Sequence, residues 1–226
     1  MTIAVVIPAL NEEDRLTDTL RHTAGVGFDE ILVVDGGSTD RTRASAEAFG
    51  FARVLTSPPG RARQLNAGAK ASRSDVLLFL HADTRLPDTA RQNIESALAD
   101  PTVVGGRFDV RFDSPSMWAG IISTFMNYRS RLTRVSTGDQ AMFVRRDIFE
   151  RLGGFPDIPL MEDVAFSARL KRTGPTQALR ESVTTSFRRW EQQGPLRTVL
   201  LMWTLRFLYW IGVSPHRLAH LYTMVR

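Results

Sequence analysis

The sequence contains no cysteine in 226 residues. That excludes a disulfide scaffold, a zinc–thiolate site and a thiol nucleophile together, and it fits a reducing compartment. Lysine is nearly absent too: Lys70 and Lys171 are the only ones, so the net charge of +5 is carried by arginine. Guanidinium groups suit bidentate contacts to phosphate and carboxylate. These arginines are scattered among acids, and no helix-turn-helix, RNP or zinc-finger spacing is present, so nucleic acid is not an expected partner. Long apolar runs are missing as well. The stretch from Pro195 to Val213 is interrupted by Arg206 and falls short of the roughly 20 residues a membrane-spanning helix needs. The opening MTIAVVIPALNEE has no basic leader and no small-residue cleavage site. The start of the chain is therefore expected to belong to the fold, and the protein to be cytoplasmic, at most peripheral on the inner face of the membrane.

What the chain does have is apolar residues, 43% of the total, enough to build the core of one α/β domain. Residues 3–7 (IAVVI) form a β-branched run ended by Pro8, and Leu10, Leu16 and Leu20 then recur at helical spacing. The pattern repeats at ILVV (31–34), followed by a Gly-Gly-Ser loop and a helix from about Asp40 to Phe49. Val54–Thr56, Ala62–Ala71, Val76–Leu80 and Asp88–Ala99 continue it as strand, helix, strand, helix. Apolar strands alternating with helices predict a mostly parallel sheet covered on both faces, with ligands bound beyond the carboxyl ends of the strands. After Pro101 the pattern predicts a half-wet strand over 103–112, a helix over 117–128, a loop, strand and helix within 138–155, and a helix opening at Glu162.

Chemistry-bearing residues fall at the predicted strand ends. PALNEE follows strand one, Asp35 opens VDGGSTD after strand two, and His81, Ala82 and Asp83 end strand four. A carboxylate beside glycines can accept hydrogen bonds from a ribose or base, while Ser38 or Asp40 caps the next helix. Asp83 is either a metal ligand or a helix cap. Arg61 and Arg63 stand just before a helix, within reach of a phosphate. Glu162 and Asp163 either do acid–base work or complement a helix dipole.

Taken in order, GRARQLNAGAKAS, FLHADT, TGDQAMFVRR, GGFPDIPLMEDV and SFRRW resemble the family-2 glycosyltransferases of GT-A fold, within a small bacterial subgroup, over about residues 3 to 190. The resemblance implies an α/β, Rossmann-like GT-A domain with a helical C-terminal tail. Residues 1–190 would form the catalytic domain, 1–100 its nucleotide-sugar half and 101–190 its acceptor half. Residues 191–226 would pack on that domain, on a second subunit of a homodimer or on a membrane surface.

The activity implied is an inverting, metal-assisted transfer of a sugar from a UDP- or GDP-linked donor to a small-molecule or lipid-phosphate acceptor. Asp163 would be the base, with Glu162 beside it. Pro8, Ala9, Asn11, Glu12, Asp35, Arg63 and Ala82 would hold the nucleotide sugar, and Asp139, Arg189 and Trp190 would line the acceptor site. Asp83 and His81 would bind Mn²⁺ or Mg²⁺. In the family an Asp-x-Asp triplet is commoner, and His81 stands in its first place here; imidazole is a better ligand for manganese than for magnesium. The Gln-x-x-Arg-Trp signature of processive synthases is missing. A nucleotidyltransferase would display a Gly-rich Arg/Lys segment after strand one, which PALNEE lacks, and a catalytically idle nucleotide-sugar-binding or membrane-adaptor module is the reading outside the enzymes.

Overall fold

The computed structural model describes residues 1–225, with side chains to residue 222. Arg226, the last residue of the expected tail, lies outside the described residues. In chain order the elements are β1 (Ile3–Ala9), α1 (Glu13–Val26), β2 (Glu30–Asp35), α2 (Thr42–Glu47), β3 (Arg53–Thr56) and α3 (Arg61–Ala71). Next come β4 (Val76–Phe79), β5 (Thr84–Arg85), α4 (Ala90–Ala97), β6 (Gly105–Phe112) and α5 (Met117–Thr133). A 3₁₀ turn (Gly138–Gln140) leads to β7 (Phe143–Arg145), α6 (Arg146–Arg151), α7 (Glu162–Leu170) and β8 (Thr176–Thr185). Three helices close the chain: α8 (Arg188–Gln193), α9 (Pro195–Trp210) and α10 (Pro215–Val225).

These strands form one eight-stranded sheet in the order β3-β2-β1-β4-β7-β6-β8-β5. The first four run parallel, as the alternating pattern predicts. Strand β7 is antiparallel to both neighbours, β6 and β8 are parallel, and β5 is an antiparallel edge. The architecture is thus Rossmann-like, with a mostly parallel sheet flanked by helices and a helical tail. The continuous apolar runs are explained by burial on both faces. Ile3, Val5, Ile7, Val33 and Leu78 face one layer with Leu16 and Leu20 of α1 and Ile94 of α4. Their alternates Ala4, Val6, Leu32, Val34 and Leu77 face the other layer with Leu65 of α3, Phe149 of α6 and Phe166 of α7.

Because β1, β2 and β4 end side by side, the loops after them gather at one rim. The second half of the sheet adds the 3₁₀ turn and the start of α7 to that rim. Among the described residues no helix is long and apolar enough to cross a membrane.

Candidate active site

The loop after β1 is stitched to the loop after β2. Asn11, at φ 56°, accepts the Thr39 backbone N–H at 2.9 Å through its side chain and donates its own N–H to Ser38 Oγ at 3.0 Å. Glu12 N–H donates to Thr42 Oγ1 at 2.7 Å. Asp40, one residue before the N-cap Arg41 of α2, accepts the Thr42 N–H at 2.9 Å through its Oδ1. Asp35 is 3% exposed, and its carboxylate accepts the N–H groups of Gly37 and Ser38 at 3.2 and 3.1 Å. Beneath it, buried Gln64 donates to the carbonyls of Ala9 and Val34, both at 2.8 Å. Gly36 has to be a glycine, since a Cβ there would sit 2.9 Å from the Gln64 amide carbon. Pro8 and Ala9 pair with Val34 and Asp35 in the sheet, which fixes this lip.

At the end of β4, Ala82 is buried and its carbonyl accepts from Thr19 Oγ1 at 2.7 Å. Asp83 caps no helix: α4 begins at Ala90, after β5. Its charge lies near Glu12, whose carboxyl is pushed up first by burial and then by Asp83, with Arg15, His81 and Arg188 opposing. His81 turns the other way. Its Nδ1 is 3.2 Å from Asp139 Oδ1, and a Cβ on Gly138 would collide with its Nε2.

Asp139 therefore sits against the histidine of the triplet. Burial would raise its carboxyl, but the hydrogen bond and charge of His81, helped by Arg61 and Arg189, bring it down to about 2. The same turn holds Asp163, whose Oδ2 accepts the Gly138 N–H at 2.7 Å while its Oδ1 accepts the Val164 N–H at 2.6 Å. Two left-handed non-glycine residues, Ala141 at φ 43° and Met161 at φ 70°, bring the turn and the start of α7 together. Such backbone is sparsely populated and clusters at functional loops.

Glu162 is 4% exposed. Burial and then Asp163 push its carboxyl up, against Arg61, whose Nη1 is 3.8 Å from Glu162 Oε1. Arg61, half-exposed, is in turn held protonated: desolvation is outweighed by Glu162, Asp163, Asp139 and Asp83. Arg63 faces away and binds both oxygens of Asp157, at 2.9 and 3.0 Å. Trp190 stacks on Phe187 at 6.2 Å and meets Phe112 edge-on at 5.9 Å. Arg189 lies over the Tyr222 ring at 4.7 Å and is near enough to Asp139 to lower it.

Two arginines join this site without a motif to announce them. Arg129 of α5 is brought to about 10, first by burial and then by Arg206, with Asp163 opposing. Arg206 of α9 is lowered by burial against the pull of Asp163 and Asp139. In the sequence Arg206 is an interruption in an apolar helix, which is the signal that marks it.

Among the described residues no three His, Asp or Glu side chains gather into a metal-ligand set. The donor set fits Mg²⁺ or Mn²⁺ nonetheless. Mg²⁺ is ordinarily held by one or two carboxylates completed by substrate phosphates and water rather than by an all-protein cage. Asp83 is such a carboxylate, with Glu12 beside it and His81 engaged by Asp139.

At this rim of a Rossmann-like sheet, Asp83, Asp139 and the Glu162–Asp163 pair, from three separate segments, gather around the Arg61 guanidinium. The chain matches the model of glycosyl transferase family 2 over residues 4–153 and belongs to that family. It is similar to the probable glycosyltransferase YdaM of Bacillus subtilis, 28% identical over 201 residues, which cover 76% of this chain and 47% of that protein. Undecaprenyl-phosphate 4-deoxy-4-formamido-L-arabinose transferase of Pseudomonas paraeruginosa is 35% identical over 158 residues, 63% of this chain and 46% of that one. The chain thus spans about half the length of these curated relatives. Its fold is shared with glucosyl-3-phosphoglycerate synthase of Mycobacterium tuberculosis in complex with Mn²⁺, UDP and phosphoglyceric acid. That match has a TM-score of 0.66 at 19% identity and covers 94% of this chain and 79% of the other.

Proposed function

We propose that this protein transfers a sugar, with inversion, from a nucleotide-sugar donor to an acceptor, and that the rim built by Glu12, His81, Asp83, Asp139, Glu162 and Asp163 around Arg61 is its active site. The observation that carries the reading is the convergence of Asp83, Asp139, Glu162 and Asp163, from three sequence segments, on one guanidinium, with Glu12 beside Asp83 and His81 against Asp139. No core packing calls for so many acids in one place. Residues 1–100 act as the donor half and 101–190 as the acceptor half, with the tail from 191 closing the acceptor side.

In this reading the nucleoside lies along Pro8, Ala9, Asn11 and Asp35, with Ala82 beneath the diphosphate. Arg61 takes the phosphate-facing position, while Arg63 contributes through its ion pair with Asp157 at the edge of α3. Asp83, flanked by Glu12, would hold a divalent cation, and His81, fixed by Asp139, hydrogen-bonds the diphosphate. Bound there, Mn²⁺ or Mg²⁺ supplies neutralisation of the charge that develops on the leaving diphosphate. Asp163 faces the acceptor and takes the proton of an acceptor hydroxyl; its two backbone hydrogen bonds orient it for that task. Glu162 keeps Arg61 in place. Arg129, Arg189 and Arg206 give the acceptor side a positive lining, which suits an acceptor carrying phosphate.

The names of the relatives support both halves of the reading: one carries Mn²⁺, UDP and phosphoglyceric acid, and another is named for a polyprenyl phosphate. The test is calorimetric titration of UDP and of GDP, each with Mn²⁺, with Mg²⁺ and with chelator, into wild type and Asp83→Ala. One nucleotide is expected to bind, and to weaken about ten-fold or more with chelator or substitution, the worth of one charge-assisted contact. Binding of neither nucleotide under any condition would sink the proposal.

A further inference from the structure

Helix α5 carries Met117, Ile121, Phe125, Tyr128 and Leu132 on its solvent side, every third or fourth residue, with Met117 and Leu132 each 74% exposed. Helix α9 does the same with Leu196, Leu200, Trp203, Phe207 and Trp210, the last 81% exposed. The two rows meet where the Phe125 and Trp203 rings lie 5.3 Å apart, so they form one continuous apolar face. Contiguous faces of this kind mark interaction sites rather than ordinary surface.

Charge says what covers it. Helices α5, α9 and α10 contain no Asp or Glu; Arg129 and Arg206 turn inward toward Asp163 and Arg131 pairs with Asp109, which leaves Arg197 and Arg217 as their exposed charges. A second copy packed on the same face by two-fold symmetry would set arginine against arginine. An anionic leaflet offers phosphates to every one that reaches it. Aromatic and aliphatic residues rimmed by arginine, on helices too short and too mixed to span, are the composition of an interfacial membrane surface.

We propose that the α5–α9 face docks on an anionic lipid bilayer, with its apolar side chains entering the headgroup boundary and Arg197 and Arg217 meeting lipid phosphates. The docking rests on this face alone; its consequence for the acceptor rests on the transferase reading. On its inner side α9 packs Leu205 against Met161, with Val164 alongside, the residues that bracket Glu162 and Asp163. The acceptor side thus lies directly behind the docked face, and its substrate is an amphiphile of that leaflet.

The full chain should float with vesicles of equimolar phosphatidylcholine and phosphatidylglycerol about ten-fold or more better than with phosphatidylcholine alone, since Arg197 and Arg217 both gain from an anionic surface. The double variant Trp203→Ser, Phe207→Ser should lose that binding by at least ten-fold. The pair Arg197→Glu, Arg217→Glu should abolish the preference for the anionic vesicle. Thermal melting and UDP titration on the same variants separate a misfolded chain and a failed donor site from a failed docking face. Absence of flotation with either vesicle overturns the proposal. So does a dimer, seen by sedimentation, that the Trp203→Ser, Phe207→Ser variant dissociates, because the face would then be a subunit interface.

Discussion

Arg61 Nη1 lies 3.8 Å from Glu162 Oε1, joining the first turn of α3 to the first turn of α7 across the acidic rim. The carboxyl of Glu162 is raised by burial and by Asp163, and this guanidinium opposes that rise. Arg61→Ala should raise the Glu162 carboxyl further, since the opposing charge is lost, and weaken nucleotide binding about ten-fold, the loss of one charge-assisted contact. Arg61→Lys should recover only part of it, lacking the planar fork. Carboxyl titration by NMR and calorimetry read the two effects. Unchanged affinity in the alanine variant would remove Arg61 from the donor site.

Asp163→Asn should leave UDP affinity at the wild-type level. With a hydroxyl acceptor the turnover number should fall on the order of 10²–10⁴-fold, the usual contribution of a positioned base. A phosphate acceptor brings an oxygen already ionised, so the same variant should lose far less with it. Steady-state kinetics with both acceptor types decides which chemistry the site serves.

Gln64→Leu removes both donors from the carbonyls of Ala9 and Val34. The Ala9 carbonyl keeps the Gly36 N–H at 2.9 Å, so the expected cost is about 1–3 kcal/mol. Gly36→Ala, whose new Cβ meets the same amide, should be less than additive with Gln64→Ala. Urea unfolding of the single and double variants measures the coupling.

Glu30 shows how acid should loosen the sheet. Its Oε1 accepts from Ser72 Oγ, the Arg73 N–H and Ser74 Oγ at 3.1, 3.0 and 2.6 Å. Burial would raise its carboxyl, but Ser74, Arg73 and Ser72 outweigh it and the net shift is downward. A depressed carboxylate stabilises the fold above its unfolded value of about 4.3, and the contribution disappears as pH falls through the lower folded value. Glu30→Gln should therefore flatten the stability profile below pH about 4.3 by less than about 1 kcal/mol, the group being partly solvated. Denaturant midpoints at neutral and acid pH provide the check; parallel profiles for both proteins would refute it.

The first half of the fold was legible because β1, β2 and β4 are buried on both faces, which forces apolar runs that periodicity detects. Strand β8, TQALRESVTT, was not: it is mostly part-exposed and its pairing with β6 comes from contacts far apart in sequence. Strand β7 was legible as the short strand within 138–155, but its antiparallel direction between two long-range partners was not. In the site, strand-end acids were visible since nothing else explains a carboxylate after a buried run. The choice between Arg61 and Arg63 was not, because two residues of helical rotation, about 200°, separate the direction of the acids from that of Asp157. Arg129 and Arg206 belong to helices whose approach to Asp163 depends on tertiary packing that no local pattern encodes.

The short turn at Gly138–Gln140 touches both sides of the proposed reaction. Its first residue leaves room for the His81 ring where a Cβ would collide and donates its N–H to Asp163, and its second holds His81 through a carboxylate. Donor-facing and acceptor-facing groups are therefore mounted on the same few peptide units, like two arms on one pivot. In the proposed reaction a shift of His81 would reach Asp163 through this turn rather than through the sheet.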